Sequence, residues 1–148
     1  MGKQVKQMLM GEFEHALDPK GRLFVPAKLR ETLGKTFVIT KGLDGCLDVY
    51  PMEAWEKLKN SFAQKMMPKH KERDVSRFIF GGACEAEPDK QGRVLLPANL
   101  RSYAKIGDTA VIVGVGNKAE IWDKKQYEAY TTSVEDDVAQ MVEELEFE

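Results

Sequence analysis

Histidine and cysteine are both scarce in this 148-residue chain: two histidines, His15 and His70, and two cysteines, Cys46 and Cys84. The cysteines stand 38 residues apart with no CxxC, so the spacing offers neither a zinc-finger ligand set nor a disulfide framework. Thiols this few point to a reduced, cytoplasmic compartment. No run of 18 apolar residues occurs, so no membrane span is expected. The apolar patch from Met8 to Gly11 is too short for a secretion signal. Also missing are a P-loop, a nucleophile elbow and an HExxH motif, and Gly114-Val115-Gly116 is a GxG without its third glycine. The chain is therefore not expected to be an enzyme, and no catalytic residue, metal or cofactor is assigned.

A strong charge of one sign is missing too. The formal net charge is -2, which taken whole argues against a general polyanion binder. Its distribution is uneven. Residues 133–148 hold seven acids and no base, which leaves 22 bases against 17 acids in residues 1–132. Lys57 to Arg77 contains seven bases against Glu72 and Asp74. Such runs are ordinarily solvated helix faces, yet a body of net +5 keeps an anionic partner open.

What the sequence does contain is an internal repeat. Asp18–Arg30 (DPKGRLFVPAKLR) aligns with Asp89–Arg101 (DKQGRVLLPANLR) at an offset of 71, with seven of thirteen positions identical. Beyond it, Gly34–Ile39 matches Gly107–Ile112, Leu47–Tyr50 matches Ala119–Trp122, and Trp55 falls opposite Tyr127. Two copies, residues 11–56 and 83–128, are expected to pack into one pseudo-twofold domain spanning 1–148, since three or four short strands are too few to be stable alone. The acidic helix 129–148 follows.

Each copy reads as α+β. In the first, an extended Gly11–Leu17 leads into the turn Asp18–Gly21, then strand Arg22–Val25, a helical turn Ala27–Glu31, and strands Thr36–Lys41 and Cys46–Tyr50. In the second, Ala83–Glu87 precedes strands Arg93–Leu96, Thr109–Val113 and Ala119–Trp122, with a long helix from Lys124. Apolar stripes at three- and four-residue steps mark two helices: Trp55, Leu58, Phe62 and Met66, then Tyr127, Thr131, Val134, Val138, Met141 and Leu145. In the linker 56–80, Asp74–Phe80 reads as a short helix with Val75, Phe78 and Ile79 inward, broken by Gly81-Gly82.

The repeated turn is the best functional candidate. Asp18 and Asp89 can bond backbone two residues on, and Gly21 and Gly92 tolerate positive φ; all four are read as turn-forming. Arg22 and Arg93 either pair with the turn aspartate or project outward, and the two roles are compatible. Lys20 and Lys90 make each loop basic, and Lys28, Arg30 and Arg101 add cations on the helical turns. Arginine's planar fork suits phosphate oxygens and guanine edges. His15 and His70 are read as structural and solvated respectively, and Cys46 and Cys84 as small core hydrophobes.

The paired DPKGR and DKQGR turns, each followed by an apolar triplet, Pro-Ala and Leu-Arg, resemble the two DxxxR motifs of the MraZ family. The order of elements, the Arg73–Ala83 segment (RDVSRFIFGGA) and the aromatic helix starts at Trp55 and Tyr127 extend the likeness over the whole chain. The resemblance implies an AbrB-like swapped-hairpin β-barrel built from two tandem repeats, with helices after each. It further implies a DNA-binding transcriptional regulator, a repressor of its own division and cell-wall operon, cytoplasmic and nucleoid-associated. Such a regulator binds promoter direct repeats in double-stranded DNA as a ring-shaped homo-oligomer, with Lys20, Arg22, Lys90 and Arg93 as the DNA-contact residues. The alternative is an antitoxin-like protein-interaction module that uses the acidic helix Ser133–Glu148 and has no DNA role.

Overall fold

The computed structural model describes residues 8–145. The chain runs β1 (Leu9–Ala16), β2 (Arg22–Phe24), α1 (Ala27–Leu33), β3 (Phe37–Lys41), β4 (Leu47–Pro51), α2 (Met52–Gln64) and α3 (Lys69–Ile79). It continues β5 (Cys84–Ala86), β6 (Arg93–Leu95), α4 (Ala98–Tyr103), β7 (Thr109–Gly116), β8 (Ala119–Asp123) and α5 (Lys124–Glu144). The order ββαββα occurs twice, with α3 between the copies.

Proline sets the start of four helices. Pro26, Pro51, Pro68 and Pro97 each precede a first helical residue with φ near −56°, an angle the ring imposes and the helix accepts. The carbonyls of Pro26 and Pro97 take the first helical N–H groups, from Arg30 and Arg101. α5 is instead capped by Asp123, whose side chain accepts from the Gln126 N–H at 3.2 Å.

The two copies interleave. One antiparallel sheet has the order β1-β7-β8-β4-β3-β5, and a separate ribbon pairs β2 with β6. The hairpins β3–β4 and β7–β8 lie within a copy, whereas β1 pairs with β7, β5 with β3, β4 with β8 and β2 with β6 across the copies. Registers repeat as well: His15 faces Ala110 in one copy, and the equivalent Ala86 faces Phe37 in the other. A pseudo-twofold axis therefore passes through two cross-copy pairs, Leu23↔Val94 in the ribbon and Asp48↔Glu120 in the sheet. This is the tandem swapped-hairpin barrel.

Alternation places the core inside. Phe37 and Ile39, Leu47 and Val49, Ala110 and Ile112, and Ala119 and Ile121 point into one cluster, which Leu23 and Val94 close from the ribbon side. Leu29, Leu33 and Leu100 from α1 and α4 plug its ends. The intervening residues are covered outside by helices. Trp122 packs on Tyr127 and Tyr130 of α5 at centroid distances of 5.6 and 5.3 Å. Tyr127 donates to Glu12 at 2.7 Å, and burial together with that carboxylate pushes its hydroxyl up to about 12. Trp55 of α2 meets Phe80 and Tyr50.

Three expectations need correction. The middle helix begins at Lys69, a turn earlier than Asp74, because Pro68 opens it; Val75, Phe78 and Ile79 are only half-buried on it. Met66 lies beyond the end of α2 and is 98% exposed, so it contributes nothing to that stripe. On α5 the stripe is covered only near its start. Val138, Met141 and Leu145 are 45–66% exposed, since the helix outruns the sheet beneath it. Residues 146–148 of the expected acidic helix lie outside the described residues.

The GxG at Gly114 has a packing explanation. Gly114 faces Gly11 in the β1–β7 ladder, and a Cβ there would collide with the backbone of Leu9 and Met10. Gly114→Ala is expected to destabilise the chain by about 2–3 kcal/mol, the upper range of overpacking. Urea unfolding checks this, and the loss concentrates in β1, read as faster amide exchange at Phe13 and His15.

Candidate nucleic-acid interface

Each turn is organised by its aspartate. Asp18 Oδ1 accepts the backbone N–H groups of Lys20 and Arg22, both at 2.9 Å. Its Oδ2 accepts from Arg22 Nε at 2.5 Å. Asp89 repeats the pattern, with Gln91 and Arg93 N–H groups at 2.9 Å and Arg93 Nε at 3.1 Å. The backbone N–H of each turn glycine closes onto the aspartate carbonyl at 2.9 Å, and the first strand residue's carbonyl accepts the aspartate N–H. Gly21 and Gly92 stand at φ +83° and +82°, the left-handed region that a side chain disfavours.

The carboxyls of Asp18 and Asp89 are both held below the usual carboxylate value. The main cause is the backbone N–H of Arg22 and Arg93 respectively, with the guanidinium and the neighbouring loop N–H adding to it against partial desolvation. The arginines are therefore both paired and presented. Their Nε atoms are taken by the turn, and about 30% of each side chain remains exposed.

The ribbon brings the two turns together. Directly paired residues share a face, so Arg22, Phe24, Arg93 and Leu95 all lie on the outer side while Leu23 and Val94 are buried. Arg93 Nη1 also reaches Asp18 Oδ2 at 3.6 Å; no Arg22–Asp89 counterpart occurs among the described residues. Arg93 is thus shared between two carboxylates and Arg22 is held by one.

Arg30 and Arg101 play a part that the repeat alone did not reveal. Arg30 Nε donates to the Val25 carbonyl at 2.8 Å, and Arg101 Nε to that of Leu96 at 2.9 Å. From there each guanidinium lies against the opposite copy's turn glycine. A Cβ at Gly21 would fall 2.8 Å from Arg101 Cζ, and one at Gly92 3.1 Å from Arg30 Cζ. The only sequence signal for this was that both arginines recur at the same repeat position. Arg30 also sits over the Phe24 ring at 5.8 Å.

Lys20, Arg22, Lys90 and Arg93 belong to the two turns or open the strands after them, Arg22 and Arg93 pair with the aspartates, and Arg30 and Arg101 lie against the turn glycines. Lys20, Lys90 and Lys28 are exposed. His15 packs edge-on against Phe24 at 5.0 Å, and His70 is exposed on α3. Cys84 is half-buried against the core, and Cys46 is buried outside it, where burial and the carboxylates Glu120, Asp48 and Asp44 push its thiol up to about 12. The Lys57–Arg77 run lies on exposed turns of α2 and α3, partly paired within its helix as Arg77–Asp74 at 3.2 Å.

Acid should undo the turns in a defined direction. A carboxyl whose folded pKa is depressed contributes stability above its unfolded pKa and loses it as pH falls through the folded one. The Arg22 and Arg93 Nε–H resonances should therefore stay protected at pH 3.8, the ordinary aspartate value, and lose protection only on further acidification. Asp18→Ala should remove the Arg22 signal at neutral pH while core amides such as Ile112 keep theirs, as read by 15N NMR.

Known proteins share this chain's length and both of its halves. The family model described as "MraZ protein, putative antitoxin-like" matches twice, over residues 8–78 and 79–145. A "Transcriptional regulator MraZ" from Pelotomaculum thermopropionicum is 53% identical over 123 residues, covering 83% of this chain and 85% of the relative. The protein of that name from Heliobacterium modesticaldum is 47% identical over 138 residues, 93% of this chain and 96% of its own. That from Moorella thermoacetica is 45% identical over the same shares. Two matched halves, each contributing one Asp-clamped arginine turn to a shared ribbon, make this chain a member of the MraZ family.

Proposed function

We propose that this chain is a DNA-binding transcriptional regulator whose contact surface is the outer face of the β2–β6 ribbon with its two turns. The observation that carries the reading is the pair of aspartate-clamped arginines, Arg22 and Arg93, set on one face of the ribbon across a pseudo-twofold. A two-stranded ribbon is narrow enough to enter a major groove, and arginine forks held at Nε can offer their remaining N–H groups to phosphate or guanine. Lys20, Arg22, Lys90 and Arg93 are the contact residues, with Asp18, Gly21, Asp89 and Gly92 holding the turns. The chain works as one pseudo-twofold unit of repeats 11–56 and 83–128 followed by the acidic helix 129–148, in the cytoplasm and on the nucleoid.

One such patch makes few phosphate contacts, so a lone copy binds weakly. The finer reading is a ring-shaped homo-oligomer on promoter direct repeats spaced about one helical turn, roughly 10 base pairs, repressing its own division and cell-wall operon. Linked engagement of several patches can raise affinity by about 10²–10⁴. The exposed apolar residues of α5, among them Met141 and Leu145, support a subunit contact. They equally favour the second reading, an antitoxin-like module that grips a protein partner with this acidic helix.

Fluorescence anisotropy on DNA from upstream of the chain's own coding sequence separates the two readings. Arg22→Ala should weaken binding by about 1–3 kcal/mol, and Arg93→Ala by less, because Arg93 is partly engaged by Asp18. Equal affinity of wild type and Arg22→Ala would sink the contact assignment. In native mass spectrometry, Met141→Glu combined with Leu145→Glu should break the oligomer and lower apparent affinity on repeat DNA far more than on a single site.

A further inference from the structure

The barrel wall opposite the ribbon carries a second cluster. There the pseudo-twofold emerges between Asp48 and Glu120, paired in the β4–β8 ladder. Their neighbours Leu47, Val49, Ala119 and Ile121 point into the core, so these two carboxylates point out. The Cys46 thiol joins them, and one ligand atom from each of Cys46, Asp48 and Glu120 lies within 4.8 Å of the others.

Most of the cluster's hydrogen-bonding capacity is accounted for, and what is left over is specific. Asp48 Oδ2 accepts from Lys118 Nζ at 3.0 Å and from Tyr50 at 3.3 Å. Glu120 Oε1 accepts from Trp122 Nε1 at 3.0 Å, and its Oε2 stands 4.0 Å from Lys118. Asp48 Oδ1 has no partner, although Asp48 is only 5% exposed. A buried carboxylate oxygen left unpaired is costly, because it has given up water and gained no donor. That oxygen and the thiol border the same side-chain-free space: a Cβ on Gly42 would lie 2.9 Å from Asp48 Oδ1 and 3.0 Å from Cys46 Sγ. Two carboxylates with one ammonium leave one negative charge uncompensated, and the exposed Asp44 nearby adds to the negative potential.

We propose that Cys46, Asp48 and Glu120 form a site for one divalent transition metal of borderline softness, Zn²⁺ or a close analogue. A thiolate with two carboxylate oxygens is a zinc-type donor set, and a water completes a tetrahedron. Closure of the three atoms by about an ångström brings them onto bonds of roughly 2.0–2.3 Å. On binding, the Zn–S bond replaces the S–H bond, and the thiol proton leaves to solvent. The dication less that proton adds one positive charge, which cancels the cluster's surplus. Lys118 stays on Oδ2 while the metal takes Oδ1. The spacing rules that exclude a zinc finger do not see this site, because its ligands come from different copies.

The test uses the full, untagged, metal-free chain titrated with Co²⁺. One Co²⁺ per chain should bind with a thiolate-to-cobalt charge-transfer absorption, and Zn²⁺ should displace it. Cys46→Ser should abolish the absorption and Cys84→Ser should preserve it. Glu120→Gln, at a half-buried position, should weaken Co²⁺ binding at least about tenfold, as loss of even an outer partner does, and it decides the matter if Cys46→Ser fails to fold. No charge-transfer band with wild type, a band that survives Cys46→Ser, or Glu120→Gln binding as wild type overturns the site.

Discussion

The fold depends on strands pairing across the two copies. β1 completes the sheet of the second copy and β5 that of the first, and the ribbon takes one strand from each. The main core draws residues from both copies on every wall, so neither half has an interior of its own. The same constraint makes the basic patch. Because β2 and β6 are antiparallel and only three residues long, two turns distant in sequence are held at diagonally opposite corners of one short face.

Within that patch, pairing and presentation coexist. An arginine free to sample many rotamers gives up conformational entropy when it binds; one whose Nε is already fixed by an aspartate gives up less. The aspartate lowers the local positive charge in return. A patch built this way trades strong general attraction for defined geometry.

Much of this was legible in the sequence, for one physical reason: the repeat doubled every signal. The turn residues, the strand order and the helix starts each appeared twice in register, and prolines at Pro26 and Pro97 marked the same boundary. Positions without such support stayed open. Val138, Met141 and Leu145 keep helical periodicity, but periodicity cannot say whether anything lies beneath them. Cross-copy contacts were the other blind spot. The seat of Arg101 against Gly21, and of Arg30 against Gly92, follows from how the copies interlock, which local pattern does not encode. The environment of Cys46 was missed likewise, since a buried cysteine just before a strand reads as core.

The axis through Asp48 and Glu120 has one more consequence. Under the repeat, Cys46 corresponds to Lys118 and Asp48 to Glu120, so the sequence C-x-D at the start of β4 meets K-x-E at the start of β8. A barrel assembled from two identical chains must place like residues on both sides of its diad, two thiols or two ammonium groups. Joining the halves in one polypeptide lifts that restriction: each side of the diad can drift separately, and a thiol can come to face an ammonium across a pair of acids. Covalent linkage thus allows chemistry at the centre of a symmetric scaffold that symmetry itself would forbid.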